Sequence, residues 1–277
     1  MLRSGVQIPS GSSFLETILK TMISKYYITP TGKIHYLLHN GRGEPIVCIH
    51  GVGSNHTVWK HIIKNNTHPI ILIDLPGHGK SSNPWTNINQ TTDYIREILQ
   101  TEKIQNPIII GNSLGCSLGV HLSNQIKISK LTLISPFFYD TVYSAQLLYS
   151  FFSTASHIKI TSRTHRFIDY STAMNKSSIL YPFLDLEGTT LSTWMKTAAA
   201  CLTIKLNSLK HHIPTLILYG TRDILLKKDQ IQTLAPHAHI TPIKCDHLLL
   251  YHQSNTVRTA INTFLKTTIT TTSSHTQ

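Results

Sequence analysis

The stretch Pro107–Gly119, PIIIGNSLGCSLG, decides the fold, because an apolar run stops at a serine that lies between two glycines. A continuous apolar run without polar alternation is typical of a strand buried on both faces of a parallel sheet. The residues after Ser113 favour a helix, so the stretch predicts a tight strand-to-helix turn. Taken alone, the turn allows two interpretations: Ser113 is a nucleophile, or it is simply a small residue in a crowded turn.

Apolar runs of the same kind recur along the chain, and most are followed by helical patterns. These runs cover Pro45–His50, Pro69–Ser82 (broken by Pro76, Gly77 and Gly79), Lys130–Phe138, Ile213–Gly220 and His239–Cys245. Alternating buried strands and amphipathic helices predict an α/β fold with a mainly parallel, doubly wound sheet. Before them, two β-rich runs around Thr31-Gly32 predict an antiparallel hairpin. Helical spacing also predicts helices over 55–64, over 91–104 with a threonine cap, and over 254–266.

The alternation pauses between about Ser135 and Lys210, and this pause predicts the domain organisation. We expect a core formed by residues 22–135 and 211–268, with residues 136–210 inserted as a helical cap or lid. Residues 269–277, which are polar and low in complexity, are expected to form a flexible tail.

Residues 1–21 are interpreted as a leader outside the fold. The string GVQIP within them can be encoded by DNA that resembles the T-arm of a transfer RNA gene. This predicts that translation begins at Met22 rather than at Met1.

The net charge of the chain bears on which classes of partner the protein binds. The 277 residues carry a formal net charge of +12, which favours acidic partners. Charged residues make up only 14% of the chain and Lys and Arg are scattered, so the basic balance reflects a scarcity of acids. Because no zinc-finger, RNA-binding or basic-helix motif accompanies it, we expect no nucleic-acid partner. The sequence carries no signal for the oligomeric state.

The spacing of the cysteines indicates whether the protein binds a metal and in which cellular compartment it resides. Cys48, Cys116, Cys201 and Cys245 lie far apart and form no C-x-x-C pair, so we expect buried free thiols, no metal and no cofactor. No apolar run approaches the roughly 18 residues of a membrane span. The first residues lack the apolar centre of a signal peptide. These features predict a cytoplasmic protein without a membrane span.

Polar residues that could form a catalytic site follow several of the predicted strands. In an open parallel sheet, ligands bind at the carboxyl ends of the strands. Ser113, Asp223 and His247 each follow a different strand, so they arrive at one edge. His50 and the glycines at 51 and 53 follow another strand there.

With this order the sequence resembles the α/β-hydrolase family, in which a Gly-x-Ser-x-Gly turn is followed by an acid and then a histidine. The resemblance covers Ile34 to Lys266 and implies that Ser113 is the nucleophile. It also implies that His247 is the general base and Asp223 the acid that orients it. Asp140 is the one alternative acid.

The resemblance also implies an oxyanion hole formed by the backbone N–H groups of Val52 and Leu114. His50, Gly51 and Gly53 would support the first donor by letting their loop approach the substrate. Gly111 and Gly115 would support the second, because the turn is too tight for β-carbons beside the serine.

Three further positions have family counterparts. Asp74 resembles an acid that organises its loop rather than reacting, and Trp59 resembles a packing residue beneath the oxyanion loop. His252 departs from the family, in which many members carry a glutamate five residues after the histidine. This departure predicts a change in helix anchoring or in charge near the site.

The resemblance implies a carboxylic-ester hydrolase acting on a small-molecule substrate with a small or medium apolar acyl group. Apolar residues of the predicted cap favour such a substrate: Phe137, Phe138, Tyr139, Tyr143, Leu147, Phe151 and Phe152. A hydrolase of carbon–carbon, thioester or amide bonds, and a ligand receptor that retains the triad, remain as alternatives. Ser113 argues against haloalkane and epoxide hydrolases, which usually carry an aspartate at the turn.

Overall fold

The buried strands predicted from the sequence belong to one eight-stranded sheet. The computed structural model describes residues 21–136, 189–203, 213–223, 226, 231 and 235–267. The strands are β1 Ile23–Thr29, β2 Gly32–His39, β3 Ile46–Ile49, β4 Ile70–Ile73, β5 Ile108–Asn112, β6 Lys130–Ile134, β7 Thr215–Gly220 and β8 His239–Ile243. Their order in the sheet is β1-β2-β4-β3-β5-β6-β7-β8.

The sheet is mainly parallel, as predicted. Strands β3 to β8 pair in parallel with one another, whereas β1 and β2 form the predicted hairpin and β2 joins β4 antiparallel. Every residue of β3, β4, β6 and β7 is buried. The edge strands β1 and β8 retain exposed positions. Continuous apolar runs therefore mark the central strands, which are covered on both faces.

Helices lie on both faces of the sheet. They are α1 Ile88–Thr101, α2 Leu114–Gln125, α3 Leu191–Thr203, α4 Leu249–His252 and α5 Ser254–Lys266. Apolar residues of α1, α2 and α3 pack in one buried cluster, and those of α4 and α5 pack in a second. The predicted α/β class with helices on both faces is confirmed.

Two local predictions were wrong. Residues 55–64 contain only a 3₁₀ turn, His56–Trp59, in which the amides of Val58 and Lys60 bond three residues back instead of four. The helix α1 begins earlier than predicted, since Asn87 rather than a threonine caps it and accepts from the Gln90 amide at 2.9 Å. Both segments still bury the apolar residues that made the helical pattern.

The predicted cap, residues 136–210, lies mostly outside the described residues, and so do Asp140 and all seven apolar cap residues named above. The leader (apart from Thr21) and the tail also lie outside them. Within the cap range the structure describes α3, which packs on α2. Among the helices in the described part of the chain, none combines the length and the apolar character that a membrane crossing requires.

Candidate active site

Ser113 occupies a strained turn between β5 and α2. Its backbone has φ 51° and ψ −112°, a conformation that costs a residue with a side chain about 1–3 kcal/mol. The amide of Ser113 donates to the Ile134 carbonyl at 3.0 Å, and its own carbonyl accepts from the Cys116 amide at 2.9 Å. These two bonds hold the strained turn at the carboxyl edge of the sheet.

The glycines on either side of Ser113 leave room for backbone atoms. A β-carbon at Gly111 would lie 2.3 Å from the Gly115 carbonyl oxygen. One at Gly115 would lie 2.0 Å from the Ile49 carbonyl oxygen. Since these neighbours are backbone atoms, no side-chain rotation relieves either contact.

The Gly115→Ala variant is expected to lose more than about 3 kcal/mol of unfolding free energy, because α2 would have to move away from β3. Gly119→Ala is the matched control on the same helix. Its β-carbon would meet only side-chain atoms, the nearest being Ile109 Cγ2 at 3.1 Å. The helix propensity of alanine, about 1 kcal/mol better than glycine, offsets that contact. Urea denaturation of both variants measures the difference, and equal stabilities would contradict the steric role.

The three residues predicted to form the triad lie within hydrogen-bonding distance of one another. His247 Nδ1 is 2.7 Å from Asp223 Oδ2, and His247 Nε2 is 3.0 Å from Ser113 Oγ. A carboxylate only accepts hydrogen bonds, so Nδ1 donates and Nε2 is left to accept from the serine. The Asp223 carboxylate is fully buried, whereas the imidazole is 19% exposed. This arrangement allows the serine proton to pass to the histidine.

Ser135, which was not predicted from the sequence to belong to the site, holds the backbone of His247 in place. It follows β6 in a left-handed conformation, with φ 48°, and is fully buried. Its hydroxyl donates to the His247 carbonyl at 2.7 Å, and its amide donates to the Leu218 carbonyl at 2.8 Å. The backbone of the histidine loop is thus tied to the ends of β6 and β7.

The loop after β3 lies directly against the serine. A β-carbon at Gly51 would lie 3.1 Å from Ser113 Cβ, which is tighter than most such contacts, so glycine favours this close approach. Within the described residues, no acceptor is hydrogen-bonded to the amide of Val52 or to that of Leu114. Leu114 is the first residue of α2, where an amide lacks a helical partner. Both amides are therefore available, and their role as oxyanion donors stays a prediction.

His50 is buried and joins this loop to the next one. Its Nδ1 donates to the Gly51 carbonyl at 2.7 Å, and its Nε2 accepts from the Leu75 amide at 3.0 Å. Burial lowers the pKa of His50 to about 4, although the nearby Asp74 carboxylate opposes the shift. The ring is therefore neutral at physiological pH and connects the loops after β3 and β4.

Asp74 is the centre of a buried hydrogen-bond network. Its carboxylate contacts Nδ1 of His35 at 2.7 Å and Nδ1 of His56 at 2.8 Å, and it accepts from the amides of His56 and Lys80. Burial alone would raise the pKa of Asp74, but the hydrogen bonds from the two histidines bring it well below its usual range. This network matches the predicted loop-organising role.

The same three side chains are close enough to be considered as metal ligands. Ligands of a tetrahedral zinc ion lie about 3.3 Å apart, given metal–ligand bonds near 2.0 Å. The contacts of His35 and His56 with Asp74, at 2.7 and 2.8 Å, are hydrogen-bond distances instead. We assign this cluster a structural role.

His252 replaces the expected glutamate and lies within hydrogen-bonding distance of Asp246. The Asp246 carboxylate accepts from the Leu248 amide at 3.0 Å and contacts His252 Nδ1 at 3.1 Å. Burial would raise the pKa of Asp246, but the Leu248 amide and His252 lower it overall. Cys245 also lies in this group, and burial raises the pKa of its thiol to about 11. The pair anchors α4 beside the histidine loop.

Comparison with known proteins identifies the family. The family model described as the alpha/beta hydrolase fold matches residues 44–252. The chain belongs to the α/β-hydrolase fold family. The resemblance inferred from the Ser113 turn and the order of strand ends is thereby confirmed.

Relatives of the family with curated sequences match only part of this chain. An uncharacterized protein of Mycobacterium tuberculosis is 31% identical over 101 residues, which are 34% of this chain and 30% of that protein. The (E)-2-((N-methylformamido)methylene)succinate hydrolase of Acinetobacter baylyi is 26% identical over 120 residues, 41% of this chain and 46% of that enzyme. The matched regions thus span less than half of these relatives.

A solved structure matches more of the α/β-hydrolase fold. The enol-lactonase from Burkholderia xenovorans has a TM-score of 0.72 with this chain at 18% identity. The match covers 88% of this chain and 100% of the lactonase. At this identity, the likeness demonstrates the shared fold alone.

Proposed function

We propose that this protein is a serine hydrolase that cleaves a carboxylic ester with a small or medium apolar acyl group through an acyl-enzyme. The observation that carries the proposal is the hydrogen-bond chain from Asp223 through His247 to Ser113. The fold similarity to an enol-lactonase also supports it, since a lactone is a cyclic ester.

In the first half of the proposed reaction, Ser113 Oγ attacks the ester carbonyl carbon while His247 Nε2 takes the serine proton. The buried Asp223 carboxylate stabilises the imidazolium that forms. The carbonyl oxygen becomes negative and accepts from the amides of Val52 and Leu114. The intermediate collapses when His247 donates the proton to the leaving alcohol, and the acyl group remains on Ser113.

In the second half, water enters where the alcohol left. His247 takes a proton from the water as it attacks the acyl carbon, and the same two amides stabilise the second oxyanion. Collapse releases the carboxylic acid and returns the proton to Ser113 Oγ. No cofactor is needed, because every proton transfer uses His247.

Amide or related hydrolysis is the second candidate, favoured by the relative from Acinetobacter baylyi. The substrate in the name of that enzyme contains a formamide and no ester. The same serine and oxyanion donors would serve an amide, with His247 protonating a nitrogen instead of an oxygen.

A panel of p-nitrophenyl esters from acetate to palmitate, with p-nitroanilides of the same acids, tests the proposal. We expect the highest kcat/KM at a short or medium acyl chain and at least a roughly tenfold loss at palmitate, since methylenes that do not fit the pocket are rejected. Turnover of the anilides without turnover of any ester would favour the second candidate. Tight ligand binding without repeated turnover would indicate a receptor instead.

We expect the protein to bind a small-molecule substrate and no nucleic acid. A cytoplasmic location stays a prediction, and the four cysteines, all buried free thiols, are compatible with it.

A further inference from the structure

The turn after β4 contacts the loop that carries the Val52 amide. The Gly53 amide, one residue beyond Val52, donates to Nε2 of His78 at 3.2 Å. The other ring nitrogen, Nδ1, lies 2.9 Å from the Pro76 carbonyl oxygen, and the ring is fully buried. A carbonyl can only accept and an amide can only donate, so His78 is held as the neutral Nδ1–H tautomer.

With this contact, the loop is held on both sides of Val52. On the N-terminal side of Val52, the Gly51 carbonyl accepts a hydrogen bond from His50. On the C-terminal side, Gly53 has φ 71°, a left-handed conformation that a glycine adopts and leaves easily. The bond to His78 removes that freedom. The amide of Val52 is thereby kept in one orientation between two anchored neighbours.

The turn that presents His78 is itself held in place. The His78 amide donates to the Leu75 carbonyl at 2.9 Å, and its carbonyl accepts from the Ser81 amide at 3.0 Å. A β-carbon at Gly77 would lie 2.6 Å from Thr193 Cγ2, so α3 packs closely on the turn. His78 is therefore a fixed point with which the Gly53 amide is aligned.

We propose that His78 is a positioning residue that aligns the Val52 amide with the oxyanion of the transition state; this rests on the proposed function. Oxyanion donors act at 2.7–3.1 Å, and a displacement of about 1 Å costs roughly 100-fold in rate. In this role the ring acts through its hydrogen bond to the Gly53 amide and not by binding the substrate. Burial, together with the neighbouring His50, lowers the pKa of His78 to about 3, so Nε2 stays an acceptor at neutral pH.

The test compares His78→Leu, which removes the acceptor, with His78→Gln, whose side-chain oxygen reaches the position of Nε2. We expect His78→Leu to lower kcat on a p-nitrophenyl ester by about 10- to 100-fold with KM changed less than about twofold. We expect His78→Gln to recover kcat to within about fivefold of the natural protein. If His78→Leu does not fold, His78→Asn replaces it, because the shorter amide cannot reach the Gly53 amide.

Two results would overturn the inference: unchanged kcat in His78→Leu or its replacement, or a loss of kcat that His78→Gln does not restore. Ser113→Ala in the same assay separates this inference from the proposed function. An inactive Ser113→Ala with a fully active His78→Leu overturns the inference alone. A fully active Ser113→Ala overturns the proposed function and the inference together.

Discussion

Ser113→Ala is expected to abolish turnover of p-nitrophenyl esters, with kcat lower by about a million-fold. The variant removes the only atom that forms the covalent bond in the proposed reaction, and His247 Nε2 loses the hydroxyl 3.0 Å away. Binding is expected to change little, because the oxyanion amides and the rest of the site remain. Initial rates over a range of ester concentrations give kcat and KM separately.

The matched control for this variant is Ser82→Ala. Ser82 is an exposed serine whose hydroxyl accepts from the Lys33 amide, away from the triad. It should retain full activity. If Ser113→Ala retained the activity of this control, the serine would be only a small residue in a turn.

Asp223→Asn is expected to lower kcat by about 10,000-fold with little change in KM. The asparagine keeps the shape of the side chain but can present an amide N–H to His247 Nδ1. The imidazole then adopts the other tautomer, and Nε2 carries a proton that prevents it from accepting the serine proton. Stopped or continuous ester assays resolve an effect of this size if the protein preparation is free of other esterases.

Asp246→Asn is the matched control, since Asp246 immediately precedes His247 and its carboxylate faces Leu248 and His252 instead. The partly exposed contact of Asp246 with His252 is worth at most about 1 kcal/mol, so we expect less than a tenfold loss. Equal, small losses in both variants would indicate that another acid, such as Asp140, orients the histidine.

The sequence predicts the central sheet well because burial on both faces leaves a continuous apolar signal, as in β3 and β4. The helix predicted over residues 55–64 does not form, for a related reason. Val58, Trp59, Ile62 and Ile63 are all buried, but periodic burial does not specify whether amides bond three or four residues back. Spacing therefore reports which residues face the core more reliably than it reports the helix type.

The residues of the site also fall into those that the sequence predicts and those that it does not. Ser113, Asp223 and His247 could be proposed together because each follows a strand, and parallel strands end at one edge. The supporting contacts carry no such signal. Ser135 and His247 are 112 residues apart, and Gly53 and His78 are 25 apart. Each contact joins a single side chain to a backbone atom of another loop, so no periodicity or motif in the sequence predicts it. One clue to His78 was its place between two glycines just after a buried strand.

The most direct test of the central claim is labelling of the natural protein with a fluorophosphonate, followed by peptide mass spectrometry. Such reagents form a covalent bond with a serine whose proton is taken by a neighbouring base. We expect one adduct per chain, on Ser113, at a rate that falls sharply in His247→Ala. An adduct on another residue, or an unlabelled Ser113 in folded protein, would contradict it.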